Sequence, residues 1–183
     1  QEPEVVDLAN CLIAMGAEIE GLGTDKITIN GKQYLRGTEH SVIADRIEAG
    51  TFVVAAAVTG GRVTLTGAPC EHLGAFVEVV GRAGVGISCG TDTIEVDGSA
   101  LDGPGFVAVD TETAAYPGLA TDIQPATSVL LTQATGTSLV HETIFEDRLE
   151  WMSELRRMGA DIEIQDDRHA TIRGRSRLHG AEV

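Results

Sequence analysis

The sequence is poor in positive charge. Its 183 residues carry 13 Lys+Arg against 28 Asp+Glu, a formal net charge of −15. No basic face is available to neutralise a phosphate backbone, so nucleic-acid binding is not expected. Long apolar runs are missing too. The longest, Phe52 to Val58, falls far short of the roughly 20 residues that span a bilayer. No charged segment followed by an apolar stretch opens the chain, as a secretory signal would. Neither a membrane partner nor secretion is expected. Cysteine is scarce: Cys11, Cys70 and Cys89 are odd in number and widely spaced. They form neither a disulfide framework nor a zinc-ligand pattern, which suits a reducing cytoplasm. His40, His72, His141, His169 and His179 include no i, i+4 pair and no Cys partner at ligand spacing, so no metal site is expected. Gly21-Leu-Gly23 and Gly81-Arg-Ala-Gly-Val-Gly86 are not G-x-G-x-x-G, and no Walker-type Gly-Lys-Ser is present. Nucleotide-fold and P-loop enzymes lose their support, and no Ser/His/Asp set stands in a nucleophile context.

What is present is globular. Apolar residues make up 43% and charged residues 22%, and Val, Ile, Leu and Ala recur in periodic segments, unlike a disordered chain. A chain of this length can bury roughly 70% of the surface it exposes when unfolded.

Three segments align: Met15-Gly-Ala-Glu-Ile-Glu20, Ala83-Gly-Val-Gly-Ile-Ser88 and Met158-Gly-Ala-Asp-Ile-Glu163. Each follows an amphipathic stretch: Val5, Leu8, Ala9, Leu12 and Ile13; Leu73, Phe76, Val77 and Val80; Trp151, Met152, Leu155 and Met158. Those spacings put the apolar side chains on one helical face. Gly16, Gly84 and Gly159 stand where a left-handed residue would end each helix, a conformation glycine adopts cheaply. Alternating strands follow at Ile27–Lys32, Ile94–Ser99 and Ala170–Arg175, with Asn30-Gly31 and Asp97-Gly98 as expected tight turns. A second helix and strand follow in the first two units. They are expected at Asp45–Gly60 with Arg62–Thr66, and at Asp122–Gly136 with Ser138–Glu142. Each unit reads as two helix–strand steps closed by a hairpin, repeating about every 70 residues. The period suits α/β lobes with helices inward and sheets outward. The chain opens inside a helical pattern and closes inside a unit, so a piece of a longer protein is expected.

Candidate chemistry sits at helix starts. Asp122 and Asp45 each precede a helix. Either can cap it by accepting the first free N–H groups, or can face a cleft and accept a substrate hydroxyl proton. Arg148, at the expected start of the third helix, reads as a solvated side chain or as a bidentate clamp on phosphate or carboxylate. Arg173, Arg175 and Arg177 alternate as one solvated strand face.

The repeat, taken with four strings, resembles the enolpyruvyl transferase family. The strings are Glu2-Pro-Glu-Val-Val-Asp-Leu-Ala9, Ala44-Asp-Arg-Ile-Glu-Ala-Gly-Thr-Phe52, Thr121-Asp-Ile-Gln124 and His141-Glu-Thr-Ile-Phe-Glu-Asp-Arg148. The second and fourth are similar to the branch that acts on UDP-N-acetylglucosamine. The resemblance implies an α/β (α+β) chain of βαβαββ-type units, about half of a two-lobed, inside-out α/β barrel with its active site between the lobes. Residues 1–43 would be the last part of one lobe and residues 44–183 about two units of the other. The implied reaction moves the enolpyruvyl group of phosphoenolpyruvate onto the 3′-hydroxyl of UDP-N-acetylglucosamine by addition and elimination, in peptidoglycan precursor synthesis. It implies no cofactor. Asp122 matches the carboxylate that contacts the sugar hydroxyl and is the candidate base. Ile144 matches a backbone position that also contacts the UDP-sugar, and Asp45 and Arg148 match cleft residues, which the resemblance implies to be catalytic and UDP-sugar-binding respectively. The family's Lys-Asn pair, its Cys-bearing loop and its Asp-Leu-Arg segment find no counterpart here, so the chain by itself is expected to be inactive. Two other readings stay open: a 5-enolpyruvylshikimate-3-phosphate synthase-type transferase, and a non-catalytic repeat-built binding module.

Overall fold

The computed structural model describes residues 1–182; Val183, the last residue of the expected second segment, lies outside the described residues. Among the described residues five α-helices and ten β-strands follow one another as the repeat requires. Helix α1 (Pro3–Ala14) leads into a hairpin of β1 (Glu18–Glu20) and β2 (Thr28–Asn30). The next unit holds α2 (Arg46–Val58), β3 (Arg62–Thr66), α3 (Gly74–Arg82), β4 (Gly86–Cys89) and β5 (Thr93–Asp97). The last holds β6 (Phe106–Val107), β7 (Thr111–Glu112), α4 (Gln124–Thr132), β8 (Ala134–His141), α5 (Met152–Arg157), β9 (Asp161–Ile164) and β10 (His169–Gly174).

The two larger sheets share one plan. In the first, β5 lies between β3 and β4, antiparallel to both. In the second, β10 lies between β8 and β9, again antiparallel, while β6 and β7 run parallel to β8. The helices fill the space between these sheets. Val53, Val80, Leu130 and Leu131 are buried with Ile94, Phe106 and Ile172 from the strands, whereas β3 and β4 are largely exposed outside. Helix α2 packs on α4, and Gly50 leaves room for the Ile123 side chain: a Cβ at Gly50 would lie 2.7 Å from Ile123 Cδ1.

The expected helix ends are borne out. Gly16, Gly84 and Gly159 have φ of 106°, 96° and 97°. Each N–H bonds the carbonyl three residues back, and the following N–H (Ala17, Val85, Ala160) reaches Leu12, Val80 and Leu155. This is the Schellman arrangement, satisfying carbonyls that the helix itself cannot.

Several local expectations are corrected. Asn30-Gly31 and Asp97-Gly98 do not turn the hairpins; they follow the second strand of each. The reversals come earlier, at residues 21–27 in the first hairpin, where Thr24 N–H bonds Gly21 O, and at 90–92 in the second, where Gly90 N–H bonds Thr93 O; the third hairpin reverses at 165–168, where Asp166 accepts the N–H groups of Arg168 and His169. Asp97 instead accepts from Ser99 N–H and starts a 3-10 turn. The helix expected over Asp122–Gly136 is shorter, because β8 starts at Ala134 to pair with β6 and, from Gly136, with β10. Arg148 precedes α5 in a turn rather than opening it. Of the three alternating arginines only Arg173 lies in β10, where it pairs with Glu163 and Asp161 of β9. The apolar face of α1 buries only Ala9, besides Pro3, and leaves Val5, Leu8 and Ile13 exposed. The cysteine expectation is overturned: Cys70 and Cys89 form a disulfide, their Cα atoms 6.0 Å apart, and only Cys11 is free. They stand 19 positions apart in sequence, but the path through α3 and back along β4 returns the second beside the first.

Candidate functional site

The site forms where three segments of the last unit meet: the loop after β7, the turn before α4 and the turn after β8. Strand β8 alternates, placing Ser138, Val140 and then Glu142 on its inner side. Glu142 is wholly buried, just past the strand's end. Burial without hydrogen bonds would cost a carboxylate several kcal/mol, so its surroundings matter. Its Oε1 accepts from Thr113 Oγ1 at 2.9 Å and from the N–H groups of Ile144 and Phe145 at 2.8 and 3.2 Å. Its Oε2 accepts from Thr121 Oγ1 at 2.8 Å. Burial pushes the Glu142 pKa up, but the hydrogen bonds outweigh it and hold the carboxyl below the usual glutamate range. Thr143 ties the same turn to Thr113, its N–H donating to Thr113 Oγ1 and its hydroxyl to Thr113 O. Arg168 Nη1 donates to the Glu142 carbonyl and Nη2 to Glu146.

On the outer side of this cluster lie three of the four residues singled out from sequence. Asp122 follows Thr121, and its Oδ1 accepts from Arg148 Nη2 at 2.5 Å. The Arg148 guanidinium also lies 5.3 Å from the Phe145 ring centroid, a cation–π distance. Ile144 and Phe145 present an exposed turn beside them. The Asp122 side chain is 62% exposed, and among the described residues its Oδ2 has no hydrogen-bond partner. A carboxylate oxygen and a guanidinium on one open surface, beside the exposed turn at Ile144 and Phe145, can receive a hydroxyl and an anionic group.

The capping expectation is corrected for Asp122. Ile123 stands at the N-cap of α4 and no side chain caps that helix, because Asp122 sits one residue too early and is claimed by Arg148. It holds for Asp45, whose Oδ1 accepts from Ile47 and Glu48 N–H at 2.7 and 3.2 Å. Asp45 is not in contact with the Asp122–Arg148 pair. It borders a separate cleft of about 340 Å³ with Glu48, Phe52, Leu65 and Pro69. Its neighbour Arg46 is 9% exposed, donates through Nε to Glu4 at 2.6 Å and lies 5.6 Å from the Tyr116 ring. Sequence reasoning missed Glu142, Thr113 and Thr121. The available signal was parity: a glutamate in register with the inward positions 138 and 140.

The family model of EPSP synthase (3-phosphoshikimate 1-carboxyvinyltransferase) matches residues 1–183. UDP-N-acetylglucosamine 1-carboxyvinyltransferases are similar over the whole chain: that of Azorhizobium caulinodans is 46% identical, that of Shewanella pealeana 48% and that of Solibacter usitatus 49%. The chain spans 42% of the length of the first and 43% of the other two. Among solved structures, the enolpyruvyl transferase NikO from Streptomyces tendae superposes with a TM-score of 0.83 at 23% identity, over 98% of this chain and 42% of that one. EPSP synthase from Acinetobacter baumannii does so with 0.63 at 20% identity, over 92% and 40%. At those identities the likeness is one of fold alone. Fold plan, repeat and full-length family match agree: the chain belongs to the EPSP synthase family of enolpyruvyl transferases.

Proposed function

We propose that this chain is part of an enzyme that transfers the enolpyruvyl group of phosphoenolpyruvate to the 3′-hydroxyl of UDP-N-acetylglucosamine. The observation that carries the reading is 46–49% identity along the whole chain to proteins bearing that name. In the reaction the sugar hydroxyl oxygen adds to C2 of phosphoenolpyruvate while C3 takes a proton. Loss of a C3 proton and of inorganic phosphate then restores the double bond. Asp122 is the group we assign to the hydroxyl. Its free Oδ2 can accept the proton while Arg148 holds Oδ1 and fixes the carboxylate's direction. The backbone of the exposed turn at Ile144, its N–H held by Glu142, is assigned to the UDP-sugar. Asp45 is assigned to helix α2 as its cap, and its catalytic assignment rests on the resemblance alone.

The proposal extends to organisation and place. Residues 1–43 are read as the end of one lobe and residues 44–183 as about two units of the other. In support, β1 and β2 pair only with each other among the described residues. Both substrates are multiply charged metabolites that do not cross a bilayer, which favours the cytoplasm; among the described residues no helix is long and apolar enough to cross a membrane. The Cys70–Cys89 bond pulls against a reducing compartment.

The test is Asp122→Asn in the full-length polypeptide, with Asp45→Asn beside it. Phosphate release with the two substrates should fall by ~10² or more for Asp122→Asn, the scale of an acid–base residue. Asparagine still caps helices well, so Asp45→Asn should stay within about threefold. Near-normal turnover of Asp122→Asn removes that residue from the mechanism. An unmodified enzyme that prefers shikimate 3-phosphate as acceptor removes the UDP-sugar.

A further inference from the structure

We infer that Glu142 is a positioning residue for the proposed reaction, fixing the turn that carries Asp122 and the turn that carries Ile144 relative to one another. The inference rests on the function proposed above. Glu142 is wholly buried and cannot touch a substrate, so any part it plays runs through its partners. Those partners come from three separate segments, at residues 113, 121 and 144–145. One oxygen serves Thr121, the immediate neighbour of the assigned base. The other serves the backbone of the turn assigned to the UDP-sugar. The carboxylate thereby joins two loops that are not strand-paired to each other and that meet otherwise through the segment after β7, which bridges Leu119 at Thr113 and bonds Thr143.

The choice of an acid is itself informative. Among the described residues no cation touches the carboxylate, since Arg168 reaches only the Glu142 carbonyl and Glu146. The charge is balanced by four neutral donors. If the position only filled space, an apolar residue would avoid the cost of burying charge. Only a carboxylate accepts at both ends, which four converging donors require. Glutamine keeps one accepting oxygen for Thr113, Ile144 and Phe145. Its amide then faces the Thr121 hydroxyl, which can turn to accept. Alanine releases both loops.

The experiment measures steady-state kinetics of the full-length enzyme with Glu142→Ala, Glu142→Gln and Thr121→Val, varying each substrate in turn. Glu142→Ala should raise KM for UDP-N-acetylglucosamine about tenfold or more and leave that for phosphoenolpyruvate within about twofold, because small misplacements of a binding group are costly. Glu142→Gln should bring the UDP-sugar KM back to within about threefold of the parent. Thr121→Val cuts only the link to the base and should lower kcat about tenfold with the UDP-sugar KM little changed. Should Glu142→Ala not fold, the other two variants decide. Thr121→Val kinetics within about twofold of the parent overturn the inference. So does a Glu142→Ala enzyme whose kcat falls with its folded fraction while both KM values stand still, which is the signature of a merely structural role. A parent that turns over neither substrate pair overturns the function and this inference with it; a normal parent with unmoved variants overturns the inference alone.

Discussion

Substituting Gly84 and Gly98 by alanine and by asparagine separates two physical reasons for glycine in the same repeat. Gly84 ends α3 with φ of 96°, and a Cβ there would meet only Gly105 O at 3.8 Å. Its need is conformational. Left-handed backbone costs an L-residue about 1–2 kcal/mol, offset by roughly 0.4–1 kcal/mol from a less free unfolded chain. Gly84→Ala should therefore destabilise by about 0.5–1 kcal/mol. Gly98 has φ of −85° and ψ of 4°, open to any residue. Its need is steric: a Cβ would lie 2.6 Å from Ala56 O and 2.9 Å from Ala57 Cα, both backbone atoms of α2. Neither can swing aside, so Gly98→Ala should cost about 2 kcal/mol, within the range for overpacking. Asparagine reverses the ranking within each pair. It tolerates positive φ, so Gly84→Asn should be milder than Gly84→Ala. It is bulkier, so Gly98→Asn should be worse than Gly98→Ala. Urea unfolding followed by the fluorescence of Trp151, the chain's one tryptophan, reads the differences, with a melting shift of roughly 2–4 °C per kcal/mol as a check. A Gly98→Ala protein within about 0.5 kcal/mol of the parent, or a Gly98→Asn protein more stable than Gly98→Ala, refutes the steric account.

Acid should weaken the Glu142 cluster. Its carboxyl titrates below the usual glutamate range in the folded chain, so its contribution is whole above the unfolded pKa of about 4.3 and is lost as pH falls below it. The stability advantage of the parent over Glu142→Gln should shrink as pH falls below about 4.3 in thermal melts; an advantage that stays constant or grows contradicts the hydrogen-bond account. Reduction should also destabilise the chain. Opening a loop with a sequence separation of 19 costs about 3 kcal/mol in the chain-entropy view, read as a lower melting temperature in dithiothreitol. Before reduction, alkylation should label Cys11 alone; three labelled cysteines would show that no bond forms in solution.

The repeat and its punctuation are legible in the residues alone. Glycine at 16, 84 and 159 ends helices because a local backbone conformation requires it, and amphipathic spacing put Phe76, Val80, Met152 and Leu155 inside. Local signals of this kind are written within a few residues, so they are legible without the fold. The hairpin turns were misplaced because Asn-Gly and Asp-Gly turn chemistry was outweighed by pairing that runs β2 and β5 to the residue before the turn glycine. Asp122 and Asp45 look alike in sequence, each one or two residues before a helix. Only tertiary structure divides them, by bringing Arg148 from 26 residues away to one and nothing to the other. The same holds for Cys70 with Cys89, and for Glu142 with donors drawn from residues 113 and 121. Each of those contacts depends on strands and helices returning a distant segment to the same place, and that return is set by packing of the whole unit rather than by any stretch of sequence within it.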